Sequence, residues 1–178
     1  MPPNFSAVYA LAFCAGVYFP LGIGAGVSVV VLLATDVLIN VFAYGVQPFD
    51  WLMVLNYVAY AAIFLLGRAF SPNLRAAWLV SGGMLGALLF YLVTNTGAWL
   101  HNPRYAKSFI GWFQALSVGL PEFPHTWEFF RHTMISGGMF TALFVGAVKL
   151  RGPSRQEAEE SAGEIEGTEP EGTGAEAS

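Results

Sequence analysis

One acidic and one amide side chain stand out because they lie inside an apolar segment. Asp36 is the only acidic residue within a long apolar run, and Asn40 follows four residues later, which places both on one face of a helix. A carboxylate inside a membrane costs about 2.5 kcal/mol or more, so it is expected to face other helices and to have a partner. The pattern predicts either a contact with a proton, a cation or a ligand, or a structural hydrogen bond to a neighbouring helix or to interfacial water.

A second group of polar side chains ends the apolar run that begins near Ala76. Thr94, Asn95 and Thr96 follow one another there without a charge, and Gly97 comes directly after them. We predict that Gly97 loosens this helix end and that the three polar side chains coordinate a ligand, as the ends of broken helices do in transporters. The alternative is that they cap the helix and form hydrogen bonds to other helices.

Aromatic residues and one arginine complete the candidate binding site. Four of the five tryptophans fall on the predicted outer side of the membrane: Trp51, Trp99, Trp112 and Trp127. An aromatic belt at the interface between lipid and water explains this bias. The alternative is an aromatic pocket for a flat ligand, with Trp99 and Trp112 as candidates. Arg131, one turn inside the last helix, either meets an anionic group of a ligand or extends to the interface.

Several classes of function have no support in the sequence. The histidines fit no standard spacing of metal ligands, and the single cysteine, Cys14, offers no second thiolate, so we expect no metal site and no cofactor. A nucleophile elbow, a phosphate-binding loop and a pair of carboxylates are all missing, so we do not expect an enzyme. No cluster of basic residues suggests a nucleic-acid partner.

The composition predicts an integral membrane protein whose other partner is the lipid bilayer. Of the 178 residues, 55% are hydrophobic and 11% are charged, against about 25% charged in soluble domains. Eight of the 12 acidic residues follow Arg155. We therefore divide the chain into a membrane helix bundle, 1–151, and an acidic C-terminal tail, 152–178, which has too few large apolar residues to fold and is expected to be disordered.

The apolar runs predict an all-α, polytopic helix bundle with five membrane spans. A span needs about 20 apolar residues. The predicted spans are 6–19, 26–43, 51–66, 76–100 and 127–150, with a break at Pro20, Gly22 and Gly24. The apolar segment 108–120 is too short to cross and is expected to be a re-entrant or interfacial helix.

The positive charges predict the orientation of the chain in a cell inner membrane or plasma membrane. With a cytoplasmic C-terminus, the inner side carries five basic residues and the outer side two or three. The positive-inside rule then places the N-terminus outside and the C-terminus in the cytoplasm. The helix end at Thr96 and the long loop after it would face outward.

Glycine-rich ridges on three predicted helices suggest close packing between helices. They are Gly22-xxx-Gly26, Gly82-xxx-Gly86 and Gly138-xxx-Ala142-xxx-Gly146. Ridges of small residues allow helix backbones to approach each other closely. One of them could instead dock a partner subunit.

A set of motifs between residues 3 and 146 resembles an uncharacterised bacterial family of membrane proteins described as transport proteins. The motifs are Pro3-Asn4-Phe5-Ser6, Ala10-Leu11-Ala12-Phe13, Gly16-Val17-Tyr18-Phe19, Thr35-Asp36, Gly67-Arg68, Thr94-Asn95-Thr96-Gly97-Ala98-Trp99, Tyr105, Gly111, Pro121 and the segment from Phe129 to Thr133. That family in turn is similar in architecture to the S components of energy-coupling-factor (ECF) transporters, which are six-helix bundles that hold a vitamin or a cofactor precursor near the outer face.

The resemblance implies a substrate-binding role at particular positions of this chain. It points to Asp36, to the segment from Thr94 to Trp99 and to Arg131. Relatives usually carry a further apolar helix before the Asn-Phe motif, whereas Met1 stands here three residues before Asn4. This indicates either a late start codon or a five-helix variant without the helix by which S components dock their coupling subunit.

Two hypotheses about function follow. The first is the substrate-binding protein of an uptake system for a small solute of the vitamin or cofactor-precursor type. Its ligand would lie at the outer face, and energising membrane and ATPase subunits would drive uptake. The second is a membrane scaffold or assembly protein without transport activity, which recruits a partner of the cell envelope.

Overall fold

The described part of the chain is entirely helical. The computed structural model describes residues 5–38, 41–42, 45 and 51–151, and these contain six α-helices and no strand. In chain order they are α1 (Val8–Tyr18), α2 (Leu21–Leu38), α3 (Trp51–Arg68), α4 (Ala76–His101), α5 (Phe109–Ser117) and α6 (Thr126–Leu150). The predicted all-α class is confirmed, while the proposed tail, 152–178, lies outside the described residues.

Helix α1 is short and lies at the centre of the bundle. Eight of its 11 residues are buried, and Phe13 and Cys14 are fully enclosed. It crosses α3 at a pair of glycines: a β-carbon on Gly16 would collide with the carbonyl oxygen of Phe64, and one on Gly67 with that of Phe13. Small residues at both positions are what allow the two backbones to approach so closely.

Contacts along the bundle show that successive long helices run in opposite directions. Helices α1 and α3 run the same way, because Tyr9 faces Tyr60 near one end and Gly16 faces Gly67 near the other. Helix α4 runs against them, since its Gly82 meets Phe13 and Phe70, while its later residue Phe90 packs on Tyr9 and Tyr60. Helix α6 reverses again: its residues Gly137 and Thr141 meet α4 at Ala87 and Gly83.

Helix α2 is the most loosely packed of the long helices. It buries Gly24 and Leu32 and exposes most of its large apolar side chains, a surface suited to lipid. The predicted break at Gly22 and Gly24 is wrong, because both residues lie within the helix. The interruption is confined to Phe19 and Pro20; Pro20 stands just before the first helical residue, where proline is tolerated, and its carbonyl accepts the bond from Gly24 N at 2.8 Å.

Within the part of the chain that the structure describes, three helices are long and apolar enough to cross a membrane: α2, α4 and α6. Helix α1, at 11 residues, is about 16 Å long, and the hydrocarbon core of a bilayer is about 30 Å thick. Helix α3 is apolar but falls outside that set of three. The membrane character predicted from composition agrees with these three helices.

The short helix α5 corresponds to the apolar segment 108–120. Its nine residues span about 14 Å, too little to cross. Ser108 caps its first turn by accepting a hydrogen bond from Gly111 N at 3.2 Å, and Gly119, with φ of +77°, ends it. Phe109, Ile110 and Phe113 point away from the protein. An exposed apolar face on so short a helix is typical of a helix lying at the membrane interface.

The chain divides into two compact units, 1–146 and 147–178. The structure describes residues 147–151 of the second, which are the last residues of α6 and Arg151.

Candidate functional site

Thr94 and Asn95 form hydrogen bonds within their own helix. The Thr94 hydroxyl donates to the carbonyl oxygen of Phe90 at 2.9 Å, and the Asn95 amide donates to that of Tyr91 at 2.8 Å. Helix α4 does not loosen at Gly97 as the sequence suggested, but continues to His101. Gly97 is buried because the side chain of Leu55 occupies the space that its β-carbon would fill.

Thr96 joins α4 to α5. Its hydroxyl oxygen accepts a hydrogen bond from the indole nitrogen of Trp112 at 2.9 Å. The Tyr91 hydroxyl strengthens the same junction by donating to the carbonyl oxygen of Leu116 at the end of α5. Two of the predicted site residues are thus brought together, and their polar groups attach α5 to the end of α4.

The loop after α4 closes over Trp99. The indole nitrogen of Trp99 donates to the carbonyl oxygen of Ala106 at 2.8 Å, and Lys107 lies 5.7 Å from the centre of the ring. The Lys107 ammonium also donates to the carbonyls of Leu100 and Asn102, at 3.1 and 2.8 Å. A cation at this position satisfies the last carbonyls of α4 and is favoured by the helix dipole.

A small apolar cluster packs against Trp99. Tyr105, Ala115 and Leu120 are buried together, and Trp99 packs against them. Burial raises the pKa of the Tyr105 phenol above its ordinary value, because the phenolate would lose its hydration. The region from Trp99 to Leu120 is therefore a folded cap, in which both predicted tryptophans serve as hydrogen-bond donors to the protein.

Arg131 stands apart from the other predicted site residues. Its guanidinium lies 5.6 Å from the centre of the Trp127 ring, one turn earlier on α6, and the side chain is exposed. A cation over an aromatic face at the start of a helix fits an interfacial arginine. Asn40, the other residue predicted beside Asp36, lies outside the described residues.

Asp36 has a partner on α3 that is not among the predicted site residues. Its carboxylate accepts a hydrogen bond from the Tyr57 hydroxyl of α3 at 2.9 Å, and both side chains are half-buried. Because α2 and α3 run in opposite directions, the last turns of α2 lie beside the first turns of α3. The bond therefore connects the ends of the two helices that lie nearest to the 38–51 connection.

An open crevice lies between α2 and α3 beside this bond. It holds about 430 Å³ and is lined by Leu21, Ala25, Ser28, Val29 and Leu32 of α2 and by Tyr57, Tyr60, Ala61, Phe64 and Leu65 of α3. Its volume lies within the range of about 300–1,000 Å³ that is usual for small-molecule sites. The wall on the side of α3 is fixed, because the Tyr60 ring stacks on Phe90 with centroids 5.0 Å apart.

The comparison with known proteins identifies a family. The family described as "Family of unknown function (DUF6580)" matches residues 1–159. The chain belongs to this family. It matches none of the curated proteins and none of the solved structures. The expected membership of an uncharacterised family is thus confirmed. The description of DUF6580 names no activity and no relation to S components.

In this DUF6580 member the predicted site residues do not form one site. Thr96 is hydrogen-bonded to the cap, which contains Trp99 and Trp112, and Arg131 stands apart on α6. Asp36 is bonded to Tyr57, which lines the crevice. Within the described residues no group of three or more His, Cys, Asp or Glu could hold a metal ion. Tyr57 could have been found from the sequence only by aligning α2 with α3, and the uncertain ends of the two helices around the 38–51 connection prevented that alignment.

Proposed function

We propose that this protein binds a small solute in the crevice between α2 and α3, as the substrate-binding subunit of a membrane uptake system. The observation that supports the proposal is the pairing of an apolar crevice of about 430 Å³ with the bond between Asp36 and Tyr57 at its end. Sites for small molecules typically combine mostly apolar walls with a few placed polar groups. The crevice has that composition.

The location of the proposed site follows from where polar groups remain available. Thr94 and Asn95 donate to carbonyls of their own helix, Trp99 donates to the cap, and Trp112 of the cap donates to Thr96. Ser28 and Tyr60 instead line the crevice. We therefore place the solute beside α2, with its polar end at the level of Asp36, which is the outer side under the predicted orientation.

Uptake would require an energising partner, which the likeness to S components suggests is a membrane subunit with an ATPase. The sequence itself has no nucleotide-binding motif. Gly22 and Gly26 of α2 are exposed, and nothing lies within 4 Å of a β-carbon built on either of them. This ridge would let a transmembrane helix of the coupling subunit approach the backbone of α2. We assign no catalytic step and no cofactor to this chain.

A plugged crevice tests the proposal. Ala61 lines the crevice, and Ala61→Phe would fill part of it, whereas Ala34→Phe adds the same bulk to an exposed position of α2 that does not line it. We expect members of a panel of vitamins and cofactor precursors to raise the Tm of the wild-type chain and of Ala34→Phe in lipid nanodiscs. The increase should be absent in Ala61→Phe.

Two results would contradict the crevice as a solute site. One is that no compound of the panel raises the Tm of the wild-type protein. The other is that Ala61→Phe keeps the full increase, which would place the bound compound elsewhere.

The open ridge on α2 also favours the second candidate function, a scaffold that recruits a partner in the cell envelope. Gly22→Leu and Gly26→Leu would block close approach without changing a contact inside the bundle. If the protein is a scaffold, a crosslinked partner of the wild type should be lost in both variants, and no solute should raise the Tm. A solute-dependent increase that survives both substitutions favours the binding subunit instead.

A further inference from the structure

One turn beyond the crevice, the α2 face that lines it carries the carboxylate of Asp36. Ser28, Leu32 and Asp36 follow one another at four-residue spacing, so they form one stripe along α2. The first two line the crevice, and Asp36 continues the stripe by one turn. Tyr57, which lines the opposite wall, donates to Asp36 Oδ2 at 2.9 Å. A solute lying along the stripe would therefore reach the carboxylate.

The charge of Asp36 has no counter-ion in the described part of the chain. The ion pair found among those residues joins Arg104 to Glu122, in the cap. An ionised carboxylate can accept about four hydrogen bonds, and the Tyr57 hydroxyl supplies one neutral donor. Acidic side chains within apolar segments are retained where they pair with a positive group or serve a transported species.

The walls next to Asp36 favour a positive group over a negative one. Tyr57 and, one turn further along α3, Tyr60 present aromatic rings to the crevice, and ring faces attract ammonium groups. Among the described residues that line the crevice, none is a lysine, an arginine or a histidine. An anionic group placed there would be repelled by the carboxylate and would find no basic side chain to compensate it.

We propose that the solute of the crevice is a primary amine with a compact apolar body, and that Asp36 binds its ammonium group. The inference rests on the proposed function, because it assigns the class of solute held at the same site. The ammonium would donate to Asp36 beside the Tyr57 hydroxyl. The body would lie along Leu32 and Tyr60 toward the open side of the crevice.

Compounds that share a ring system and differ in the terminal group of the side chain test this assignment. Tryptamine, 3-ethylindole and indole-3-propionate share a ring system and are cationic, neutral and anionic; phenethylamine, ethylbenzene and 3-phenylpropionate form a second set. We expect the full chain in lipid nanodiscs to bind the amine of at least one set at least about tenfold more tightly than its neutral counterpart, the scale of one charged hydrogen bond. The anion should bind weakest.

Two carboxyl-to-amide variants distinguish the effect of the Asp36 carboxylate from that of losing a negative charge elsewhere in the protein. Asp36→Asn keeps an acceptor for the Tyr57 hydroxyl and should remove the preference for the amine, while affinity for the neutral compound changes by less than about threefold. Glu122→Gln removes one negative charge in the cap and should leave every affinity unchanged.

Failure of this inference differs from failure of the proposed function. If neutral and anionic compounds bind as tightly as the amines, or if Asp36→Asn keeps the preference, the amine assignment is wrong, although a loss of all binding in Ala61→Phe would still support the crevice. If no compound of either set binds and the vitamin panel is also inactive, both proposals fall.

Discussion

At the scale of single residues, Asn95 shows why polar side chains near a helix end do not by themselves define a binding site. Its amide donates to the carbonyl of Tyr91, four residues earlier, and Thr94 bonds back to Phe90 in the same way. Threonine and asparagine can make this local bond in any helix. The sequence therefore gives the positions of the donors, but not whether their acceptor is a ligand or the preceding turn.

Replacing the Asn95 amide should leave solute binding intact. In Asn95→Leu we expect the affinity for any crevice ligand to stay within about twofold of wild type. The free energy of unfolding should change by about 1 kcal/mol or less, because the bond that is lost satisfies a carbonyl already engaged in the helix. Titration of the ligand and thermal unfolding measure the two quantities. If Asn95→Leu lost the ligand while its fold stayed intact, the binding site would lie at the end of α4 instead.

Asp36 was identified as a candidate because an acidic residue within an apolar run is expensive, and the structure places it at the end of an open crevice. Its partner Tyr57 was not among the predicted site residues. Tyrosine is common both in cores and in binding sites, so only the alignment of α2 against α3 distinguishes the two. That alignment depends on where the two helices begin and end, which composition fixes only to within a few residues.

At the scale of helices, the positions of the apolar segments were predicted more accurately than their contacts. Each of the six helices lies within or close to a predicted apolar segment, and α5 is as short as expected. The three small-residue ridges look alike in sequence, yet they differ in the structure. Gly82 and Gly86 pack against Phe13 and Ile63, while Gly22 and Gly26 face open space. A ridge of small residues allows another helix to approach closely, but the fold of the rest of the chain determines whether a helix packs there.

The difference between packed and open glycines predicts opposite effects of the same substitution. In Gly16→Ala the new methyl group would meet the backbone of α3, which cannot rotate away, so we expect the free energy of unfolding to fall by about 1–3 kcal/mol. Gly22→Ala adds a methyl group to open space and should leave stability unchanged or slightly higher. Unfolding in mixed detergent micelles measures both.

Each glycine variant is a control for the other, because both changes add one methyl group to a helical glycine. Equal stability of the two variants would show that α1 and α3 are not in close contact at Gly16. A larger loss in Gly22→Ala would indicate that another chain covers the outer face of α2 in the purified protein.

At the scale of the whole molecule, the alternation of helix direction makes the predicted orientation testable. Ser71 lies in the turn between α3 and α4, and Pro103 follows α4; both are exposed, and α4 is long enough to cross a membrane. The native Cys14 is fully buried, so it contributes little background to thiol labelling.

A cysteine at each end of α4 reports which side is outside. We expect Pro103→Cys to react with a membrane-impermeant maleimide in intact cells, and Ser71→Cys to react only after permeabilisation, since basic residues flank the turn between α3 and α4. The reverse pattern would invert the orientation. Reaction at both positions in intact cells would mean that α4 does not cross.

The sparse packing of α2 has a consequence for how a solute would reach Asp36. Of its 18 residues, Gly24 and Leu32 are buried, and a crevice separates much of the helix from α3. Lipid acyl chains would therefore contact the outer face of α2. The width of the crevice between α2 and α3 would then depend on the lateral pressure of the bilayer. Compounds that partition into lipid would enter the crevice laterally from the bilayer. Their local concentration would be set by their partition coefficient between lipid and water. Affinities measured in detergent and in bilayers should differ for this protein, and the difference should increase with the lipophilicity of the compound.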